Sequence, residues 1–248
     1  MLRCIPLSLL AFLPCSLSAL ADAPQQLAQG VVYADLNRNQ LRDRGEPGLS
    51  AVRVSNGRQI VVTDDDGQYQ IPVGDDTIVF VIKPRNWMVP VDRNHVPRFY
   101  YIHKPQGSPK DLKYAGVAST GPLPTSIDFP LIKHPEPDQF KVLVFGDPQP
   151  NNLGDIYHLG HDVVAELIGT DAAFGLTMGD VMADLLNLYP PYNEVMGQIG
   201  IPLWNTLGNH DINFDVPGDE LSDETWERTY GPATYSLDWG PVHFIVTD

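Results

Sequence analysis

The chain has 248 residues, 43% of them hydrophobic and 9% aromatic, enough to fill the core of one large or two modest globular domains. Its 31 acidic and 16 basic residues give a formal charge of −15, a surface that repels phosphate backbones and argues against extended nucleic acid as a partner. Past the first 21 residues no run is long and apolar enough to span a membrane.

Those first 21 residues stand apart. Arg3 precedes a run from Ile5 to Leu20 rich in Leu, Ala and Ser that closes on Ala19-Leu20-Ala21, the pattern of a signal peptide spanning 1–21 and a secreted or periplasmic destination. Both cysteines, Cys4 and Cys15, lie in this leader, so oxygen and imidazole groups must do any metal binding in the mature chain. Losing Arg3 takes the formal charge from −15 to −16. A small anion can still be drawn in where metal cations reverse the local field.

Residues 27–132 carry short β-type runs between turns: Val31 to Ala34, Val52 to Ser55, Ile60 to Thr63, Tyr69 to Val73 and Ile78 to Lys83. They predict a β-sandwich of Ig-like or prealbumin-like type. Within it Asp35, Asn37, Asn39, Leu41, Asp43 and Glu46 occupy positions 1, 3, 5, 7, 9 and 12 of a calcium-loop pattern, with Gln40 where that pattern has glycine. No helical pattern flanks the loop, which resembles calcium loops in β-sandwich repeats of bacterial surface proteins; the competing reading is a polar turn without metal. Residues 133–139, including Lys133-His134-Pro135-Glu136-Pro137, read as a linker.

From Phe140 to Asp248 strand and helix patterns alternate. Ile156, Leu159, Val163, Val164 and Leu167 predict an amphipathic helix, a second helix is expected to start near Val181 and break at Pro190-Pro191, and Ala233 to Thr247 reads as a hairpin. Three apolar runs end in glycine and a metal-capable residue, at Gly146-Asp147, Gly179-Asp180 and Gly208-Asn209-His210-Asp211. The intervals of 33 residues from Asp147 to Asp180 and 29 from Asp180 to Asn209 each fit one strand-helix-strand crossover. Carboxyl ends of parallel strands share one crevice, so these side chains converge where oxygen ligands can gather around metal.

Asp147-Pro148-Gln149, Gly179-Asp180 and Gly208-Asn209-His210-Asp211, in this order and spacing, resemble the calcineurin-like metallophosphoesterase superfamily, and the β-rich front half is similar to the N-terminal domain of secreted bacterial members. The resemblance implies an α/β fold class, the β-sandwich being followed over 140–248 by the first part of a four-layer αββα phosphoesterase domain. It implies hydrolysis of a small phosphoester by a bridging hydroxide between two divalent ions, of manganese, iron, zinc or magnesium. Asp147 and Gln149 would hold the first ion, Asn209 the second, and Asp180 would bridge them. His210 would serve as general acid or cationic stabiliser, with Asp211 orienting its ring.

Two departures from the family stand out. Many members have histidine where Gln149 stands, and a glutamine carbonyl is a weaker, harder ligand than imidazole. The family also places further histidine ligands downstream of the hairpin, so the domain is expected to be incomplete at Asp248. His243, inside a strand, and His158 and His161, on the first helix, are expected to be packed, edge or solvated histidines. The competing reading is a non-catalytic exported binding module with a calcium-binding sandwich and a degenerate phosphoesterase domain.

Overall fold

The computed structural model describes residues 26–248. The expected leader at 1–21, with Cys4 and Cys15, lies outside the described residues. Among the described residues no helix is long and apolar enough to cross a membrane.

The front half is built from β1 (Gln26–Ala34), β2 (Arg53–Ser55), β3 (Ile60–Val62), β4 (Gln68–Val73), β5 (Thr77–Val81), β6 (Trp87–Met88), β7 (Tyr100–His103) and β8 (Phe129–Lys133). Period-two alternation sets the faces: in β4, Tyr69, Ile71 and Val73 are buried while Gln68 and Gln70 are exposed. Two four-stranded sheets result, β4-β1-β8-β6 and β3-β2-β5-β7. Their inner faces share one core, in which Val32, Ile71 and Leu131 from one sheet join Val54 and Val79 from the other. This is the expected sandwich.

The back half carries β9 (Val142–Phe145), β10 (Phe174–Thr177) and β11 (Leu203–Asn205), parallel and in the order β11-β10-β9, followed by the hairpin of β12 (Tyr235–Trp239) and β13 (Val242–Val246). Its helices are α1 (Leu153–Leu159), α2 (Ala165–Leu167), α3 (Tyr189–Met196) and α4 (Glu224–Tyr230). The parallel strands alternate as well: Leu143, Phe145 and Leu203 pack towards the helices, while Phe174, Leu176 and Trp204 pack towards the hairpin and the front sandwich. Both faces of β10 and β11 are therefore covered, while Val144 of β9 stays exposed.

Two expectations need correction. The helix predicted from Ile156 to Leu167 is interrupted by a π-turn at Gly160–Val164, whose wider winding shifts the register so that Val163 points outward while Val164 stays buried. Pro190 and Pro191 do not break a helix begun near Val181; they sit in the first turn of α3. There their missing N–H groups cost nothing and their fixed φ suits the helix.

The segment 133–139 is fastened rather than free. Lys83 forms a parallel bridge with Leu237, and its Nζ donates to Glu136 Oε1 at 2.5 Å and to the Asp238 carbonyl at 2.7 Å. Glu136 Oε2 accepts the Gly240 N–H at 2.9 Å, and the ammonium stands 4.5 Å from the centre of the Trp239 ring. Both charged side chains are almost fully buried, at 2% and 0% exposure. Burial pulls the Lys83 pKa down while the Glu136 contact pushes it back. Removing one partner strands a buried charge, so Lys83→Met alone is expected to cost about 3 kcal/mol or more, with Lys83→Met/Glu136→Leu recovering part of it. Thermal melts check this, and a single variant as stable as the parent would sink it.

Candidate functional site at the carboxyl ends of the parallel strands

Because β9, β10 and β11 run parallel, their carboxyl ends open on one edge of the sheet. The register continues past the strands, with Met178 N donating to Phe145 O at 2.8 Å and Thr206 N to Thr177 O at 2.9 Å. The chain then turns sharply at each end. Asp147, Gln149 and Asp180 have φ of +40°, +39° and +45°, the left-handed region that L side chains avoid. Each such residue costs on the order of 1 kcal/mol or more, and such strain persists where surrounding contacts impose it, often at functional sites.

Asp180 is the meeting point. Its Oδ2 accepts the Gln149 side-chain amide at 2.8 Å, its Oδ1 accepts the His210 backbone N–H at 3.1 Å, and its carbonyl accepts the Gln149 N–H at 3.2 Å. Gly208 makes the approach feasible. A Cβ there would lie 2.1 Å from Asp180 N and 2.2 Å from Oδ1, so no other residue fits without moving the backbone. Asp180, Gln149 and His210 are thus brought into direct contact, whereas Asp147 and Asn209 stand exposed at the rim of the same edge.

The expected partnership of His210 with Asp211 is corrected. His210 Nδ1 lies 2.7 Å from Asp184 Oδ1, and this hydrogen bond chiefly raises the pKa of the ring. Asp211 is wholly buried and turned the other way. Its Oδ2 accepts Val181 N at 2.9 Å and Gly208 N at 3.1 Å, and its Oδ1 accepts Met182 N at 2.9 Å and the Tyr189 hydroxyl at 3.1 Å. It braces the two site loops against each other. Burial pushes its carboxyl up to about 6, against the backbone N–H groups that pull it down. Asp184 and Tyr189 carried no sequence signal beyond an acidic residue four places after Asp180 and an aromatic beside two prolines. The other histidines stay outside: His161 pairs with Asp162 on the surface, and His243, half-exposed on β13, pairs with Asp238.

Among the described residues, no three His, Cys, Asp or Glu side chains stand together as a metal-holding group. The candidate donors Asp147, Gln149, Asp180 and Asn209 are two carboxylates and two amides, suited to an oxygen-preferring cation but few for two ions. Three of the four are held left-handed or aimed by a neighbour, and two are exposed, so they fit a metal as a partial shell.

In the front loop, Asp35 Oδ2 accepts Gln40 N at 3.0 Å, and Asn37 and Asn39 each donate an amide to Asp43 Oδ2 at 2.8 Å. Those amides hold the Asp43 carboxyl below its usual range. Glu46 closes the turn, accepting Leu36 N and Asp43 N, both at 2.9 Å. Leu41 donates its N–H to Asn39 Oδ1 at 2.8 Å. Gln40 has φ of +62°, the conformation that the pattern's glycine ordinarily supplies.

Residues 36–117 match the family model described as the N terminal of calcineurin-like phosphoesterase. No curated protein matches. Among solved structures, purple acid phosphatase PPD1 isolated from yellow lupin (Lupinus luteus) seeds is similar at 15% identity and a TM-score of 0.36, over 79% of this chain and 39% of that one. The chain therefore spans well under half the length of that structure.

Asp211→Asn is expected to destabilise the fold by about 2 kcal/mol despite its shape, because an amide NH2 would face backbone N–H donors. Asp184→Asn should leave the melting temperature nearly unchanged and lower the His210 pKa towards its ordinary value, read by NMR titration of the metal-free protein. The sign follows from a raised folded-state pKa, whose stabilisation is full below the unfolded value and is lost as pH rises through the folded one. An unmoved His210 titration would remove Asp184 as its partner.

Proposed function

We propose that this chain belongs to the calcineurin-like metallophosphoesterase superfamily and hydrolyses phosphoesters at a two-metal centre on the carboxyl edge of its parallel sheet. The observation that carries this reading is the contact of Asp180 with Gln149 and His210 in a backbone strained at Asp147, Gln149 and Asp180. Asp180 would bridge the ions, with Asp147 and Gln149 beside one and Asn209 beside the other. When bound, divalent ions supply neutralisation of phosphoryl charge and an activated water.

The protein's own groups do the rest. His210, aimed and made more basic by Asp184, holds a proton near the leaving-group oxygen and delivers it as that oxygen departs. Asp211, tied to Val181, Met182 and Gly208, keeps Asp180 and His210 in register. A secreted or periplasmic setting is part of the same proposal, resting on the leader pattern at 1–21.

The test pairs metal content with rate. Asp180→Asn is expected to lose metal and nearly all hydrolysis, whereas His210→Ala should keep its metal and lose about 10²- to 10⁴-fold in rate, less with an activated leaving group such as nitrophenolate. Two tightly held ions in Asp180→Asn would overturn the bridging role. A wild-type protein that binds no metal and cleaves no phosphoester would favour the competing reading, a binding module.

For the front loop the proposal assigns calcium to Asp35, Asn37, Asn39, the Leu41 carbonyl, Asp43 and Glu46. Calcium should then raise the melting temperature above that in chelator, and Asp43→Ala should cancel the rise. Superimposable melting curves would leave only a polar turn.

A further inference from the structure

A groove of about 500 Å³ opens between front segments 92–98 and 113–115 and back segments 186–193 and 225–229. Two of its lining residues touch residues that support the site. The Tyr114 hydroxyl donates to the Asp184 carbonyl at 2.8 Å, and the Tyr189 hydroxyl donates to Asp211 Oδ1 at 3.1 Å. The groove therefore adjoins Asp184, which aims His210, and Asp211, which braces the site loops.

Its chemistry runs against that of the chain as a whole. The protein carries −15, yet the only carboxylate lining the groove among the described residues, Asp92, is held by Arg98 at 2.6 Å. Lys113 and Arg228, both exposed, make no ion pair with a described residue. Arg228 is anchored through Nη1 to the Ala115 carbonyl at 3.2 Å, which leaves further guanidinium donors unmet, and Lys113 Nζ stands 5.0 Å from the Tyr114 ring centre. Asn193 is buried, and its Oδ1 is taken by the Tyr230 hydroxyl at 2.8 Å, so its amide offers the groove a donor rather than an acceptor. Two cations without a carboxylate partner and an oriented amide lining one concavity give a local positive field in an acidic protein. With its one carboxylate already paired to Arg98, the groove's free charged groups are donors, which suits a phosphate-type anion that accepts only.

We propose that this groove is an anion subsite taking a second phosphate-type group of the substrate, on the leaving-group side of His210. The assignment of side rests on the reading of His210 as proton donor. The anion binding itself does not, because no residue of the metal shell lines the groove.

The test titrates inorganic pyrophosphate into the full chain carrying Asp180→Asn, in EDTA, by calorimetry. Binding that weakens as salt rises is expected, with Kd about tenfold higher in Lys113→Gln/Arg228→Gln and recovered in Lys113→Arg/Arg228→Lys. Melting temperatures of the variants exclude loss of fold as the cause. Absence of binding, or an unchanged Kd in the double Gln variant, overturns the subsite even if the protein hydrolyses phosphoesters. Binding lost only in that variant supports it even if no hydrolysis is found. With active protein, Lys113→Gln/Arg228→Gln should raise KM for a substrate bearing a second phosphate and leave its singly phosphorylated counterpart unchanged. Equal effects on the two, or none on either, would make the groove a site for free anion and overturn the substrate assignment.

Discussion

The contact between buried Lys83 and Glu136 is the constraint on which the arrangement of the two halves depends. Its geometry recruits the Asp238 carbonyl, the Gly240 N–H and the Trp239 ring, so one ammonium and one carboxylate fix the end of β5, the connecting segment and the final hairpin together. Around it the aromatic side chains complete the join. Phe99 of the front half lies 5.0 Å from Trp204 and 5.3 Å from Tyr235, ring centre to ring centre, which seats β11 and β12 on the sandwich. A charged pair at such a place favours one arrangement over others that apolar packing would also allow, because any slip leaves both charges unsatisfied.

That seating has a chemical consequence at the far edge of the parallel sheet. The hairpin and sandwich cover one face and the helices the other, so β10 and β11 have little freedom and their ends present Asp180 and the 208–210 turn at a set separation. The left-handed backbone at Asp147, Gln149 and Asp180 is tolerable only against such a rigid support. Asp211 contributes from beneath, its carboxylate replacing the backbone acceptors that the turns at 181–182 and 208 lack.

Much of this was legible in the chain itself. The period-two runs, the glycine before each strand-end polar residue and the hairpin after Ala233 are local signals, and local signals survive without knowledge of the fold. What stayed hidden depends on distant neighbours. Asp184 is an ordinary acidic residue until folding puts His210 beside it, and Asp211 looks like the natural partner of the adjacent ring because sequence adjacency gives no hint of the direction a side chain takes. Pro190-Pro191 was ambiguous for a subtler reason: proline ends a helix that precedes it and starts one that follows, and only the unwound stretch from Val181 shows which applies. The π-turn at 160–164 left the spacing of apolar residues almost undisturbed and so could not be read from it.

The bridge from Lys83 to Leu237 joins residues far apart in sequence, one in each half of the described chain. Contacts of such sequence separation close late, since the loop entropy between them must be overcome before they return any stabilisation. On a ribosome the sandwich strands up to β8 would therefore be complete long before the hairpin that finishes their core emerged, and Phe99 would wait uncovered for Trp204 and Tyr235.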